Sequence, residues 1–452
     1  KSVENLIEGF DNAERKRLFT QRLFNRLMFI AFVQKKGWLK FNSKTDYLSA
    51  LWNDYQQKYS PEDSFYQDRL KLLFLSGLNT PNDVNIIDIN REGVLATLIG
   101  EVPYLNGGLF EEDEDDRNPR IVVPDSCIEA ILHQLFNRFN FTVMESTPLD
   151  IEVAIDPEML GKVFEELVTG RHETGSYYTP KTVVSFMCRE AIKGYLGGYE
   201  ALVDEHDASD ITISEARELL RRLNQIKVCD PACGSGAYLV GMLHELHELT
   251  RILDTRSGEL TARDDYRRKL AIIQNNLYGV DIDPFAVNIA RLRLWLTLAV
   301  EYEGDRPEPP PNLDFKIEVG DSLTAPNPQI ASQQGGIRDE LVQQFRDKKA
   351  VYMRTHHYGE KQTLRQAIAK LRQSIAEWTH ATAMVSGFDW AVEFVDVFAA
   401  GGFDIATANP PYGLKCEDPL RFQYFPRQNN EELQSKDSYG LFIARALQLL
   451  KS

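Results

Sequence analysis

The spacing of apolar and polar positions changes near residue 150. Before that point apolar residues recur at helical intervals, as at Leu18, Phe19, Leu23, Leu27 and Ile30. Basic residues lie between them, which is typical of an amphipathic helix with a solvated basic face. We therefore expect residues 1–150 to form a mainly helical N-terminal domain.

Beyond residue 150, short apolar runs alternate with stretches of helical periodicity. The pattern predicts strands at 225–229, 277–282, 315–319 and 403–408, and helices at 237–253 and 285–300. Alternation of this kind predicts an α/β fold with a parallel, doubly wound sheet, whose ligands bind at the carboxyl ends of the strands. Residues 338–380 are rich in Gln, Arg, Lys and Leu and predict a helical hairpin inserted between the third and fourth strands.

Composition narrows the class of protein. The chain has 452 residues, 43% hydrophobic and 26% charged, without an apolar run near the roughly 20 residues that a membrane span needs. Five scattered cysteines and the lack of a secretory signal predict a reduced, cytoplasmic setting without a membrane partner.

Net charge bears on the choice of partner. A value of −16 argues against nucleic acid, yet residues 1–40 hold nine Lys or Arg against four Asp or Glu. Residues 111–116 form an acidic run that we expect to be solvated. Global acidity therefore lowers the expectation of a DNA partner without excluding it.

Acidic residues follow three successive predicted strands, in the segments 230–236 (DPACGSG), 279–284 (GVDIDP) and 320–323 (GDSL). Glycines in the first segment allow a sharp turn that brings backbone amides close to a ligand at a helix N-terminus. The phosphate-binding pattern that ends in Gly-Lys-Ser/Thr is missing from the sequence. Glycine turns with carboxylates suit a ligand with a ribose, an adenine and a cationic centre, a description that S-adenosylmethionine meets.

The tetrapeptide Asn409-Pro410-Pro411-Tyr412 follows the fourth predicted strand. Its prolines fix their own φ and hold Asn409 extended. An amide oxygen, a rigid carbonyl and an aromatic ring together are suited to binding the exocyclic amine of a flat base. A proline-rich turn without a chemical role is the alternative for the tetrapeptide taken alone.

The order of these segments resembles the gamma class of N6-adenine DNA methyltransferases. Residues 175–180 (GSYYTP) are similar to the motif X of that class, and the other four segments follow in the matching order. Residues 104–110 (YLNGGLF) and 388–394 (FDWAVEF) resemble the large methylases of Type IIG restriction–modification enzymes. The resemblance covers about residues 100–450 and implies a Rossmann-like methyltransferase that uses S-adenosylmethionine, modifies adenine N6 in a specific sequence of double-stranded DNA, and flips the base.

The resemblance also implies roles for matching residues. Thr179 and Asp230 would lie at the methionine part of the cofactor, Asp281 at the ribose hydroxyls, Ile282 on the adenine ring and Asp321 at its amine. The predicted cofactor-binding set is Thr179, Asp230, Pro231, Ala232, Gly234, Gly236, Asp281, Ile282, Asp321, Ser322 and Leu323.

The predicted catalytic set is Asn409, Pro410, Pro411 and Tyr412. The Asn409 side-chain oxygen and the Pro410 carbonyl would accept the two N–H groups of the target amine, and Tyr412 would stack on the flipped base. This chemistry needs neither a metal nor a cysteine nucleophile. His244 and His247 do not form a zinc-binding His-Glu-x-x-His pattern, so we predict no metal site.

Two alternatives stay open: a methyltransferase that acts on a protein glutamine amide, and a cofactor-binding scaffold without turnover. The expected parts are residues 1–150, a cofactor-binding part at 151–324 that includes the motif-X segment, an insertion at 325–400 and the catalytic segment at 401–452. Because the chain starts at Lys1 and ends soon after the catalytic loop, we expect a piece of a longer polypeptide. A nuclease domain would lie upstream and a target-recognition domain downstream, and the piece alone would bind the cofactor weakly and not methylate DNA specifically.

Overall fold

The computed structural model describes residues 2–58, 60, 63–79, 93–105, 109–136, 179–258, 264–304, 307–308, 311–325, 327–328, 337–355, 358–379, 388–411 and 438–451. The chain divides into two compact units. One comprises Lys1–Leu160 and Leu292–Asn312, and the other comprises Gly161–Arg291 and Leu313–Ser452. The predicted domain boundaries stay predictions.

The first unit is helical in its described part. Its α-helices are Ser2–Leu6, Ala13–Lys35, Tyr47–Lys58, Val94–Ile99, Glu114–Arg117 and Asp125–Ile131, and its π-helical turns are Tyr66–Leu70, Leu73–Leu78 and Leu132–Phe136. The predicted amphipathic helix is Ala13–Lys35, which starts after Asn12, whose side chain accepts the backbone N–H of Arg15.

The expected solvated basic face and solvated acidic run are wrong in part, because some of their residues are buried in ion pairs with each other. Arg26 and Asp116 are each 2% exposed, and their side chains lie 2.9 Å apart. Arg22 pairs with Asp113, and Arg15 lies 2.6 Å from Asp115. A charge run that the sequence presents as a surface feature is therefore partly a buried ion-pair network.

The second unit contains a four-stranded parallel sheet, which confirms the predicted α/β, doubly wound class. Its strands are β1 (Val228–Asp230), β2 (Leu277–Asp281), β3 (Ile317–Val319) and β4 (Ile405–Ala406), in the order β3-β2-β1-β4. The chain winds from β1 through β2 to β3 on one side and returns to place β4 on the other side of β1. All four carboxyl ends therefore meet at one edge of the sheet.

Helices flank these strands. Their bounds are Lys181–Leu196, Glu200–Asp204, Ile213–Gln225, Ala237–Ser257, Asp265–Asn275, Pro284–Glu301, Ile337–Arg354, Tyr358–Thr379, Trp390–Glu393, Val395–Ala399 and Ser438–Leu449. Among the described helices none is both long and apolar enough to cross a membrane.

Three predicted strands start later than expected: the one predicted at 403–408 is Ile405–Ala406, and the other two are delayed for local reasons. The predicted strand at 225–229 begins at Val228, because the buried Asn276 side chain donates to the carbonyls of Leu223 and Ile226 and fixes the chain entering β1. The predicted strand at 315–319 begins at Ile317, because Phe315 adopts φ 64° and packs its ring against Tyr352. Tertiary contacts decide both boundaries.

Between β3 and β4, helices Ile337–Arg354 and Tyr358–Thr379 lie where the sequence predicts a hairpin. The two helices contribute Phe345, Tyr352, Ile368 and Ile375 to an apolar cluster that also contains Phe315 and Val392. Arg338 pairs with Asp389 at 3.2 Å and Arg346 with Asp396 at 2.7 Å, so the segment that follows the helices is joined to them by ion pairs. An aromatic core formed by residues 388–403 packs on the strand residues Cys229, Tyr278 and Val280.

Candidate functional site

The turn after β1 is shaped by two glycines with positive φ. Gly234 has φ 50° and Gly236 has φ 83°, in the left-handed region that side chains disfavour. A Cβ on Gly236 would lie 2.9 Å from the Cβ of Ala290, whereas a Cβ on Gly234 would meet nothing within 4 Å. Gly236 therefore serves packing against the helix Pro284–Glu301, and the space around Gly234 stays open.

Two carboxylates converge on this turn from β1 and β2. The Asp230 carboxylate accepts the N–H of Ala232 at 3.1 Å, and the Asp281 carboxylate accepts the N–H of Gly234 at 2.8 Å. Asp281 also accepts the N–H of Asp283 at 2.9 Å. The backbone of the turn is thus attached directly to the end of the neighbouring strand.

Burial raises the pKa of the Asp230 and Asp281 carboxyls, and neighbouring carboxylates add to the rise. Burial raises the pKa of Asp230 well above its usual range, and the nearby Asp281 adds to the rise. Burial raises the pKa of Asp281 to about 6, although the N–H groups of Asp283 and Gly234 oppose the change. A cation bound beside these groups would stabilise both in their charged form.

The segment after β3 is tied to the same turn. The Ser322 hydroxyl donates to the Pro231 carbonyl at 2.6 Å, and the Trp390 indole donates to the Ser322 carbonyl at 3.3 Å. The Asp321 carboxylate accepts the N–H of Leu323 at 2.9 Å. Leu323 is 2% exposed and belongs to a small apolar cluster with Leu441.

The loop after β4 meets the segment that precedes helix Lys181–Leu196. The Asn409 side-chain amide donates through Nδ2 to the Thr179 hydroxyl at 3.1 Å, although the two residues lie 230 positions apart. The Ser438 hydroxyl donates to the Pro411 carbonyl at 2.6 Å. Since β4 pairs with β1, this loop follows the strand next to the glycine turn.

The described residues of the two predicted sets are therefore gathered at one sheet edge. Hydrogen bonds link β1 with β2 through Gly234, β1 with β3 through Ser322, and the loop after β4 with Thr179. Tyr412 and residues 175–178 lie outside the described residues. The roles of all these residues stay predictions.

The sheet edge presents an apolar surface beside a carboxylate. Ile282 leaves 60% of its surface exposed next to Asp281. A Cβ on Gly234 would meet nothing within 4 Å, so the backbone there is open to close approach.

Two supporting residues were missed by sequence reasoning about the site, although Trp390 lies in a segment that carries the family resemblance. Ser438, 2% exposed, holds the Pro411 carbonyl, and Trp390, fully buried, holds the Ser322 carbonyl. Their partners are backbone carbonyls far away in the sequence, so only the fold reveals the contacts.

In the described part of the chain, no group of three or more His, Cys, Asp or Glu side chains is arranged so that it could hold a metal ion. His247, from the sequence His-Glu-Leu-His, contacts the Asp265 carboxylate at 3.1 Å.

Two family models and one solved structure are similar to parts of this chain. Residues 275–452 match the family of Eco57I restriction-modification methylases, and residues 205–307 match the DNA-methyltransferase domain of MmeI. The structure of the Type IIL restriction–modification enzyme MmeI in complex with DNA aligns with 67% of this chain and 37% of its own, at 21% identity and a TM-score of 0.44.

Two relatives add to these matches. A protein of Methanocaldococcus jannaschii named as a type II restriction enzyme and methyltransferase is 28% identical across 100% of this chain, which spans 45% of that relative. The adenine-specific methyltransferase PglX of Streptomyces coelicolor is 28% identical across 42% of this chain and 12% of its own length. The two family matches together run from residue 205 to the end of the chain. By these matches the chain is similar to the methylases of restriction–modification systems.

Proposed function

We propose that this chain transfers a methyl group from S-adenosylmethionine to the N6 atom of an adenine in DNA. The observation that carries the proposal is the 3.1 Å hydrogen bond from Asn409 to Thr179. It joins the loop expected to hold the base to the residue expected to lie at the methyl donor. The adenine-specific name of the Streptomyces coelicolor relative supports the choice of base.

When bound, S-adenosylmethionine would supply an electrophilic methyl group on a positively charged sulfur and would leave as the neutral thioether, while the methylated nitrogen loses one proton to solvent. Asp281 would accept hydrogen bonds from the ribose hydroxyls, Ile282 would cover the adenine ring, and Asp321 would accept a hydrogen bond from the adenine amine. Asp230, Pro231, Ala232, Gly234, Gly236, Ser322, Leu323 and Thr179 complete the pocket. The two carboxyls with raised pKa favour a cationic ligand, because a nearby positive charge lowers the free energy of their charged forms.

The target amine is a poor nucleophile, because its lone pair is delocalised into the purine ring. Asn409 accepts one of its N–H groups through Oδ1, and Pro410 accepts the other through its backbone carbonyl. These two acceptors draw the nitrogen toward tetrahedral geometry and orient its lone pair. Positioning and electrostatics then account for catalysis without a protein nucleophile.

The adenine has to leave the duplex to reach the loop, so double-stranded DNA is the partner and Tyr412 stacks on the flipped base. The Methanocaldococcus jannaschii relative is named as both a restriction enzyme and a methyltransferase, and this chain spans less than half of it. A nuclease domain upstream and a target-recognition domain downstream are the corresponding further parts. The setting we propose is the prokaryotic cytoplasm.

Asn409→Ala tests this function. We expect loss of tritiated methyl transfer to unmethylated bacterial genomic DNA, at least about 100-fold, since an oriented acceptor is lost. The dissociation constant for S-adenosylmethionine, measured by calorimetry, should stay within about twofold, because the amide is not a predicted cofactor ligand.

Asn224→Ala, an exposed asparagine at the end of helix Ile213–Gln225, is the matched control and should behave as the unmodified chain. Equal loss of transfer and cofactor binding in Asn409→Ala would contradict the assignment. Parallel reactions with a release-factor protein as acceptor distinguish glutamine methylation, and cofactor binding without any transfer distinguishes a scaffold.

A further inference from the structure

The amide of Asn409 has two chemically different ends, and among the described residues a hydrogen bond is made by Nδ2. Nδ2 donates to the Thr179 hydroxyl, whereas the proposed reaction uses Oδ1 as the acceptor for the target amine. A rotation of the amide by 180° would exchange the two ends and present two N–H donors to an amine that also donates. Some contact has to set this rotation.

We infer that Thr179 is a positioning residue that fixes the amide orientation of Asn409, so that Oδ1 is the end available to the base. The inference rests on the proposed function and extends it from the loop to the hydroxyl that orients the loop. Thr179 suits the task because it is 8% exposed and its hydroxyl lies within hydrogen-bond distance of Nδ2.

The backbone of the loop is held by other contacts, so the effect of Thr179 is confined to the side chain. The Thr407 N–H donates to the Cys229 carbonyl at 2.9 Å, which ties the approach to the loop to β1. The Pro411 carbonyl accepts the Ser438 hydroxyl on the other side of Asn409. Pro410 and Pro411 restrict the chain between these two points. Removal of the Thr179 hydroxyl should therefore free the amide to rotate and leave the loop in place.

The predicted contact of Thr179 with the cofactor is compatible with this task. A hydroxyl has one hydrogen to donate and two lone pairs to accept with. If that hydrogen is donated to a carboxylate of the methionine part, the hydroxyl can only accept from Asn409, and the amide must then turn Nδ2 toward it. A test therefore has to separate the rate of transfer from the affinity for the cofactor.

Thr179→Val removes the hydroxyl and keeps the shape, and Thr179→Ser keeps the hydroxyl. At saturating S-adenosylmethionine, we expect Thr179→Val to lower kcat on unmethylated genomic DNA by about tenfold, the effect of one oriented hydrogen bond. Its dissociation constant for the cofactor should change by less than about threefold. Thr179→Ser should recover most of the rate. The matched control is Thr407→Val, since the Thr407 hydroxyl has no hydrogen-bond partner in the described part of the chain.

The Asn409 side chain also gives a signal that does not depend on turnover. In protein labelled with ¹⁵N-asparagine, we expect the Asn409 amide resonance, identified by its loss in Asn409→Ala, to shift in Thr179→Val and not in Thr407→Val. An unshifted resonance overturns the inference.

A loss of cofactor affinity in Thr179→Val equal to its loss of kcat also overturns it, because Thr179 would then act on the cofactor alone. Unchanged kcat in Thr179→Val, with Asn409→Ala inactive, refutes the inference and leaves the proposed function intact. If the unmodified chain alone transfers no methyl group, as the sequence predicts for a piece of a longer polypeptide, the amide resonance alone decides the inference.

Discussion

Thr407 and Thr250 are both buried threonines, but their hydroxyl groups differ in hydrogen bonding. Thr407 is 7% exposed, and its hydroxyl has no hydrogen-bond partner within the described residues. Thr250, on helix Ala237–Ser257, donates to the carbonyls of Leu246 and His247. An unpaired buried hydroxyl costs free energy that an apolar group of the same shape does not.

Thr407→Val should therefore raise the free energy of unfolding by about 1 kcal/mol, because it replaces an unsatisfied buried hydroxyl with a methyl group. Urea unfolding followed by circular dichroism measures the change. Thr250→Val is the control and should be neutral or destabilising, since it removes a hydroxyl with two acceptors. A destabilised Thr407→Val would show that the hydroxyl has an undetected role.

Gly234 and Gly236, in the turn after β1, give a second prediction at the scale of single residues. Gly236→Ala should destabilise the chain by about 2 kcal/mol or more, because it combines a positive φ with a Cβ 2.9 Å from that of Ala290. Gly234→Ala meets open space and should cost only about 1 kcal/mol for its backbone conformation. Thermal unfolding of the two variants compares these costs. Equal losses would mean that strain, and not the contact with Ala290, decides them.

Residue types at the site could be predicted from the sequence, but their contacts could not. The carboxylates after β1 and β2 were predicted from strand endings, because parallel strands end at a common edge. The bond between Asn409 and Thr179 joins residues 230 positions apart. To predict that bond, one has to know how far apart the two segments lie in space. Neither the periodicity of the sequence nor its turn residues give this distance.

The helices show the same division between what the sequence pattern predicts and what depends on tertiary contacts. The periodicity of helix Ala13–Lys35 predicts its existence, and its arginines are plain in the sequence. The burial of Arg26 depends on Asp116, which belongs to helix Glu114–Arg117. Arg26 also donates to the carbonyls of Leu109 and Glu111, so one side chain joins the long helix to an otherwise polar segment.

Arg26→Met should destabilise the chain by about 3 to 5 kcal/mol, because it leaves the Asp116 carboxylate buried without its partner. Arg15→Met is the control and should cost less than about 1 kcal/mol, since Arg15 is half exposed and solvent screens its ion pairs. Chemical denaturation of both variants at neutral pH gives the comparison. Similar values for the two would contradict a role for burial.

At the scale of the whole molecule, net charge was a weak guide to the partner. The value of −16 already offsets Asp113, Asp115 and Asp116 against the arginines that pair with them. It still includes Asp230 and Asp281, whose raised pKa values follow from burial at the site. Part of the charge that counts against a DNA partner is thus internal.

The raised pKa values of Asp230 and Asp281 predict opposite pH dependences for stability and for cofactor binding. The folded chain holds the Asp281 proton more tightly than the unfolded chain does, with a pKa of about 6 against an ordinary 3.8. The resulting stability is present below about pH 4 and is lost as pH rises through about 6. Asp230 acts in the same direction. Without cofactor, the chain should therefore unfold more easily at pH 8 than at pH 5.

Affinity for S-adenosylmethionine should change the other way and weaken about tenfold between pH 8 and pH 5, as the carboxylate of Asp281 is protonated. Calorimetric titrations and urea unfolding at the two pH values measure both effects. Asp281→Asn should reduce both pH dependences. Parallel changes in stability and affinity would contradict this account.

The chain of hydrogen bonds from Trp390 through Ser322 to Pro231 has a consequence for the genetics of this protein. Gly320 contributes to the same connection, since a Cβ there would lie 2.4 Å from the Phe388 ring. The shape of the turn after β1 thus depends on an aromatic core that lies outside the predicted cofactor-binding and catalytic sets. A mutational screen that selects for altered use of the methyl donor should recover changes at positions 388 and 390 together with those in the pocket. Protein engineers who vary only the residues lining the pocket would miss them.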